Sequence, residues 1–350
     1  PSSSPNHPPF SIKNKNIFII ILLSILHRGV FLELIKDIDS RKELIETCFK
    51  KYGHEAEHCF YNFKSQQNDS DKFYFFHLKE GYGMPVVHYT NQLIWYFETE
   101  PLAPKDKRFD IIVKTMEHAF SFESTKKVLL ETSPEMRLKL LKYARETNKY
   151  IVRRPCYVYY CPIYDLKKWD PALPGKSWKK MRNVLNAFKR DKKVEVVDSN
   201  VVDKTKLKKV IKDWEKNRTK QHETIENYHH YHSVDDGFAN YKMARTVLVD
   251  GEPCSITAGW PVPNSKMYYS SLGVTNFKHD GLGEFSNIDD LNAIKAMGYE
   301  FAHFGGSDKS LLQFKMKFKP CRIEKEFLYY IVQKGGSEDR SVEERVGEDK

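Results

Sequence analysis

The chain has 350 residues, 40% hydrophobic and 30% charged, with a formal net charge of +10. That length admits two domains with a core apiece, and an aromatic share of 13% excludes a largely disordered chain. The six scattered cysteines include no CxxC pair, which argues against a disulfide framework and a zinc site and fits a reduced, cytoplasmic compartment.

The chain opens on PSSSPNHPPF, followed by the apolar run IFIIILLSIL at 17–26. Ten apolar residues make a helix of about 15 Å, half a hydrocarbon core, and His27 and Arg28 follow directly. Residues 1–36 are therefore read as an N-terminal extension, with membrane association through 17–26 as the alternative. Residues 37–170 form a first expected α/β lobe. Its pattern predicts a helix over 42–51, strands over 73–78, 86–89 and 93–98, a helix over 109–120, a strand over 127–131, a helix over 134–147 and a strand over 150–153.

A second lobe is expected over 171–334. It starts with a basic helix over 176–190, a strand over 194–197 and a helix over 204–221. Strands over 244–249, 252–262 and 266–272 follow, with Asp250 and Gly251 forming a tight hairpin turn. A helix over 285–297, a strand over 301–304 and a last short helix complete it. The similar order of elements in the two halves suggests an internal duplication. Residues 335–350 are read as a disordered acidic tail.

Three stretches carry candidate chemistry. Lys278, Gly281 and Gly283 are spaced basic-x-x-G-x-G between a strand and a helix, where successive backbone N–H groups are able to meet a pyrophosphate. FGGSDKSLLQFKMKFKP at 304–320 sets Gly305, Gly306 and Ser307 ahead of a helix bearing Lys315 and Lys317. Between 176 and 220, sixteen basic residues stand against six acidic ones, an excess equal to that of the whole chain. Lys179, Lys180, Arg182 and Lys189 within it are candidates for a nucleic-acid backbone.

QHETIENYHHYHSVDDG at 221–237 is read as a polar loop lining an acceptor pocket. His222, Glu223, Asp235 and Asp236 are its candidate acid–base residues, and the histidine spacing matches no strong metal pattern, so no metal is expected. No Gly-x-Ser-x-Gly elbow or Cys–His pairing supports a covalent acyl-enzyme, so direct transfer is expected.

SWKKMRNVLNAFKRD (177–191), GLGEFSNIDDLNAIKAMGYEFAHFGGSD (281–308) and LLQFKMKFKP (311–320) resemble the C-terminal domain family of phosphatidylglycerol lysyltransferases. The resemblance covers roughly residues 70–333 and is strongest from Ser177 onward. It implies two tandem GNAT-like acyltransferase lobes, related to the Fem-type aminoacyltransferases, with the donor site in the second. It also implies transfer of an aminoacyl group from aminoacyl-tRNA to an amine or hydroxyl acceptor. Acyl-CoA is the alternative donor, and no permanently bound cofactor is expected. Gly305 and Gly306 would then approach the donor's terminal adenosine or the acceptor, and Lys315 and Lys317 its phosphates. The acceptor (small molecule, peptide or lipid) and the oligomeric state stay open. The chain lacks the multi-span membrane half of the full-length lipid enzymes, which weakens a lipid acceptor. A non-catalytic RNA-binding protein and a membrane-associated lipid modifier are the remaining alternatives.

Overall fold

The computed structural model describes residues 32–122, 124–219 and 228–335. The apolar segment at 17–26, His222, Glu223 and the tail from 336 lie outside the described residues. Among the described residues, no helix is long and apolar enough to cross a membrane.

The first half starts with β1 (Leu32–Ile35), α1 (Lys42–Tyr52) and α2 (Phe60–Ser65). β2 (Asp71–Leu78), β3 (Gly83–Tyr89) and β4 (Ile94–Phe97) complete an antiparallel run with β1. α3 (Lys105–Phe120) then carries the chain over to β5 (Lys127–Thr132), which lies parallel to β4. A parallel pair requires such a crossover. α4 (Pro134–Thr147) follows, and its limits are written in the sequence. The Ser133 hydroxyl accepts the Met136 N–H at 3.3 Å, Pro134 takes the first turn, and Asn148 ends the helix in the left-handed conformation. β6 (Tyr150–Val152) and β7 (Tyr157–Asp165) close the half.

After α5 (Lys179–Lys189), the second half repeats the order. It runs through β8 (Val194–Asp198), α6 (Lys204–Thr219), α7 (Tyr228–Asp235), β9 (Met243–Val249), β10 (Glu252–Pro261) and β11 (Met267–Thr275). α8 (Leu282–Ala296) crosses to β12 (Phe301–His303), which is parallel to β11, and α9 (Lys309–Lys315) precedes β13 (Arg322–Gln333). The two halves are tandem GNAT-like lobes. The expected loop at 221–237 is corrected in part, because residues 228–235 form α7, with His230 buried against Trp214.

Three strands escape a pattern reading: β1, which corrects the expected extension over 1–36 because 32–35 pair with β2, and β7 and β13, which join the lobes. β7 pairs with β12 of the second lobe, β13 pairs with β5 of the first, and the two pair with each other. The result is one sheet ordered β1-β2-β3-β4-β5-β13-β7-β12-β11-β10-β9-β8, with β6 on β13. YVYYCPIYD and RIEKE lack a clean apolar alternation because their inward positions carry tyrosine, cysteine and glutamate.

Each lobe is packed on both faces of the sheet. In the first, α3 and α4 cover Trp95, Phe97, Val128 and Leu130, while α1 and α2 cover Phe73, Phe75 and Val87. In the second, α8 covers Tyr268 and Ala302, while α6 and α7 cover Ala258, Leu272 and Val274. Burial of these side chains, at about 25 cal/mol per Å2 of apolar surface, is the main force holding the layers together.

Candidate active site

Strand register assembles the site. Residues directly opposite on neighbouring strands point to the same face, and so do residues two apart on one strand. Tyr96 lies opposite Leu129, two residues before Glu131, and Glu131 lies opposite Leu328, two residues after Glu326. Glu326 is opposite Tyr159, two residues before Cys161, and Ile163 is opposite His303, whose other partner is Tyr269. Tyr96, Glu131, Glu326, Tyr159, Cys161, His303 and Tyr269 therefore share one face across the junction of the lobes.

The loop between α1 and α2 brings Glu55 and Glu57 over this face, and the second lobe holds it there. Trp260 donates its indole N–H to the Ala56 carbonyl at 2.9 Å, and Asn264 donates to the carbonyl of Gly53 at 2.9 Å. The half-open cavity is about 310 Å3 and is lined by the part-buried Glu55, Glu57, Glu98, Glu131 and Glu326, among others. Within it the Tyr96 hydroxyl donates to Glu131 at 2.6 Å and the Cys161 thiol to Glu326 at 3.4 Å. Gln66 and Asn62 donate to Glu98 at 3.1 and 3.3 Å, and the Glu100 N–H donates to Glu55 at 2.9 Å.

Burial raises the carboxyls of Glu55, Glu98, Glu131 and Glu326 above the ordinary range and pushes Glu57 to about 8, with neighbouring carboxylates adding to the effect. Such a group holds protons toward neutral pH and ionises more readily when a positive charge enters beside it. It suits an amine that enters as ammonium and must lose a proton before it attacks.

The glycine turn of the second lobe approaches this cavity. β11 and β12 pair only over Met267–Tyr269 and Phe301–His303, and β11 runs on to Thr275 with no β12 partner. The chain leaving β12 turns at Gly305, with φ +69, where a Cβ would lie 3.4 Å from the Tyr269 hydroxyl. The same Tyr269 hydroxyl faces Glu57. At Gly306 a Cβ would press on Tyr159 at 3.0 Å. Gly305 thus approaches the cavity residue Glu57 through Tyr269, while Gly305, Gly306 and Ser307 are not themselves among the residues lining the cavity.

Other expected site residues are placed differently. Lys315 is buried, and its ammonium donates to the carbonyls of Phe304 and Gly305, so a direct phosphate contact is corrected to a role inside the turn. Lys317 pairs with Glu284 at 2.7 Å and Lys278 with Asp213 at 3.1 Å. Gly281, at φ +83, packs against Val184 and Phe188 of α5, and Gly283 against Phe314 of α9. Close helix packing thus explains both glycines without a ligand. Arg182 donates to the carbonyls of Leu173 and Gly175, which makes it a brace for that loop; Lys179, Lys180 and Lys189 are exposed. Asp235 pairs with Lys208 at 2.5 Å, and neither Asp235 nor Asp236 lines the carboxylate cavity.

The glutamates escape a sequence reading because they lie at 55, 57, 98, 131 and 326, far apart along the chain. The one available signal is a string of acids inside otherwise apolar strands, as in FETE and LLET. His54, Glu55 and His58 come within metal-ligand reach of one another. However, His58 Nδ1 accepts the N–H groups of His54 and Glu55 at 2.9 and 3.1 Å, and its Nε2 faces the Glu100 carbonyl at 3.0 Å. With both ring nitrogens engaged, His58 serves as a loop brace.

No family model and no curated protein matches the chain. Solved structures share its fold. A conserved protein of unknown function from Bacteroides thetaiotaomicron aligns with a TM-score of 0.61 at 16% identity, covering 86% of this chain and 99% of its own. L-PGS from Bacillus licheniformis aligns with a TM-score of 0.58 at 15% identity, covering 84% and 92%. A tandem GNAT protein from the clavulanic acid biosynthesis pathway, in a form without AcCoA, aligns at 0.53 and 10% identity, covering 88% and 100%. At these identities the likeness establishes the fold.

Proposed function

We propose that the chain is an acyltransferase that moves an aminoacyl group from aminoacyl-tRNA to an amine held in the carboxylate cavity. The observation that carries this reading is the junction itself, where part-buried glutamates on one sheet face approach the glycine turn at the end of the short β11–β12 pairing. A carboxylate there takes the proton of the entering ammonium, and the free amine attacks the acyl carbon directly.

The tRNA donor is supported by exposed lysines on α5 and α6. Lys179, Lys180, Lys209 and Lys212 form no ion pair among the described residues and are free to meet phosphates. Binding of this kind supplies affinity without base specificity. Acyl-CoA is the second reading, favoured by the likeness to a tandem GNAT protein described in relation to AcCoA.

The test is incubation of the full chain with a mixture of labelled aminoacyl-tRNAs, and separately with labelled acetyl-CoA, in the presence of a cell extract. Label moving from tRNA into an amide product supports the proposal. Label moving only from acetyl-CoA selects the second reading, and no transfer from either donor overturns both.

A further inference from the structure

The glycine turn has a hydrogen-bonding pattern that the fold alone does not explain. The Gly305 N–H is donated to His303 Nδ1 at 3.1 Å, and the Ser307 carbonyl accepts the Tyr160 N–H at 3.0 Å. The carbonyls of Phe304 and Gly305 are both taken by the Lys315 ammonium. Among the described residues, the N–H groups of Gly306 and Ser307 have no acceptor. Ser307 is 1% exposed, and its hydroxyl has no partner either. Buried polar groups are nearly always paired, so a run of uncommitted donors next to Gly305, which abuts the Tyr269 hydroxyl that faces Glu57, is a functional signal.

Lys315 sets the direction of the first donor. In a trans peptide the C=O and N–H bonds point opposite ways, and the described chain has no cis peptide. Holding the Gly305 carbonyl toward the ammonium therefore turns the Gly306 N–H away from it. The ammonium also polarises that peptide, which strengthens its N–H as a donor.

We propose that the Gly305–Ser307 turn is the oxyanion site of the transfer, with the Gly306 and Ser307 N–H groups and the Ser307 hydroxyl as donors and Lys315 as the positioning residue behind them. This rests on the acyl transfer proposed above. The amine nitrogen forms a bond to the acyl carbon, and the carbonyl π pair moves onto oxygen, where the turn receives it. The pair returns as the ester C–O bond breaks. The first ammonium proton, taken by a cavity carboxylate before attack, is released to solvent; the second, lost from the nitrogen as the C–N bond forms, passes through the carboxylate to the departing ribose oxygen, giving an amide and deacylated tRNA.

Two arms test the proposal. In the first, methylphosphonate, a tetrahedral oxyanion, is titrated into isotope-labelled full-length protein while the backbone amides are followed by NMR. Saturable shifts at Gly306 and Ser307 are expected, and their absence overturns the assignment whether or not any transfer is found. In the second, Ser307→Ala is expected to lower kcat by about 100- to 1,000-fold with KM little changed, as for removal of one oxyanion donor. A raised KM with unchanged kcat would make the turn a donor-binding element and overturn the proposal. A wild-type protein that transfers from no donor refutes the acyl-transfer reading, while the methylphosphonate arm still decides whether the turn binds an oxyanion. The NMR arm uses unaltered protein and does not depend on a variant folding.

Discussion

Trp260 in the second lobe donates its indole N–H to the carbonyl of Ala56 in the first, at 2.9 Å. With the Asn264 bond to Gly53, it ties the loop carrying Glu55 and Glu57 to the β10–β11 hairpin, so the walls of the cavity depend on both lobes. Trp260→Phe keeps the ring's packing and strands a buried carbonyl. The expected cost is about 1–2 kcal/mol in urea unfolding, with a larger proportional fall in transfer as the loop drifts. Unchanged stability and activity would mean the loop is held by other bonds.

Glu57 gives a pH-dependent test. Folded, it keeps its proton up to about pH 8, whereas an unfolded glutamate releases it near 4.5. Between those values the folded chain binds more protons, so this group's contribution to stability falls as pH rises. Glu57→Gln removes the ionisation and should stabilise the protein above that window, by on the order of 1–2 kcal/mol because the side chain is only partly enclosed, and not below it. Melting curves at both ends of the window check this. A variant less stable at the alkaline end would show that the carboxylate is a net stabilising group.

Lys315 should show the opposite sign for stability. Burial lowers its ammonium from 10.5 to about 8, against the influence of Cys161 on β7 and Asp308 at the start of α9, with Arg218 on α6 acting in the same direction as burial. His303 on β12 stays neutral, its ring lowered to about 3 chiefly by burial. From about pH 8 to 10.5 the unfolded chain binds the extra proton, so stability rises with pH across that range. Transfer should fall across the lower part of that range as the turn loses its charge. In a pH–rate profile, Lys315→Arg should abolish this limb, since arginine stays protonated. Persistence of the limb would assign it to another group.

The basic surface is tested with residues that do not hold the fold. Arg182→Glu would release the carbonyls of Leu173 and Gly175, so it probes the loop and not the donor. Lys179→Glu with Lys180→Glu should weaken binding of charged tRNA. It should also flatten the salt dependence, by about 0.7–0.9 in slope for each phosphate that is no longer neutralised. Binding measured at two salt concentrations decides, and an unchanged slope would place the tRNA elsewhere.

Much of the fold was legible because the α4 cap, the Asp250–Gly251 turn and the amphipathic helices state themselves locally. Of the candidate site, the sequence marks locally only the glycine turn at Gly305, Gly306 and Ser307, which the proposal uses. β7 and β13 hide because their inward faces carry the polar groups of the cavity, which breaks the apolar alternation that marks a strand. Lys315 reads as a surface cation in a basic helix, and only the turn folding back over it explains its burial. Gly281 and Gly283 look like a phosphate loop because close helix packing and phosphate approach ask for the same missing side chain.

The most direct measurement of the central claim is the rate of label transfer by Glu57→Gln and Glu326→Gln at about pH 8, where Glu57 is half ionised, with donor binding measured on the same samples. If the cavity at the lobe junction holds and deprotonates the acceptor amine, kcat should fall by about 100-fold or more, as for removal of a general base, with donor affinity unchanged. Transfer at the parental rate in both variants would contradict the account and move the chemistry away from the carboxylate cavity.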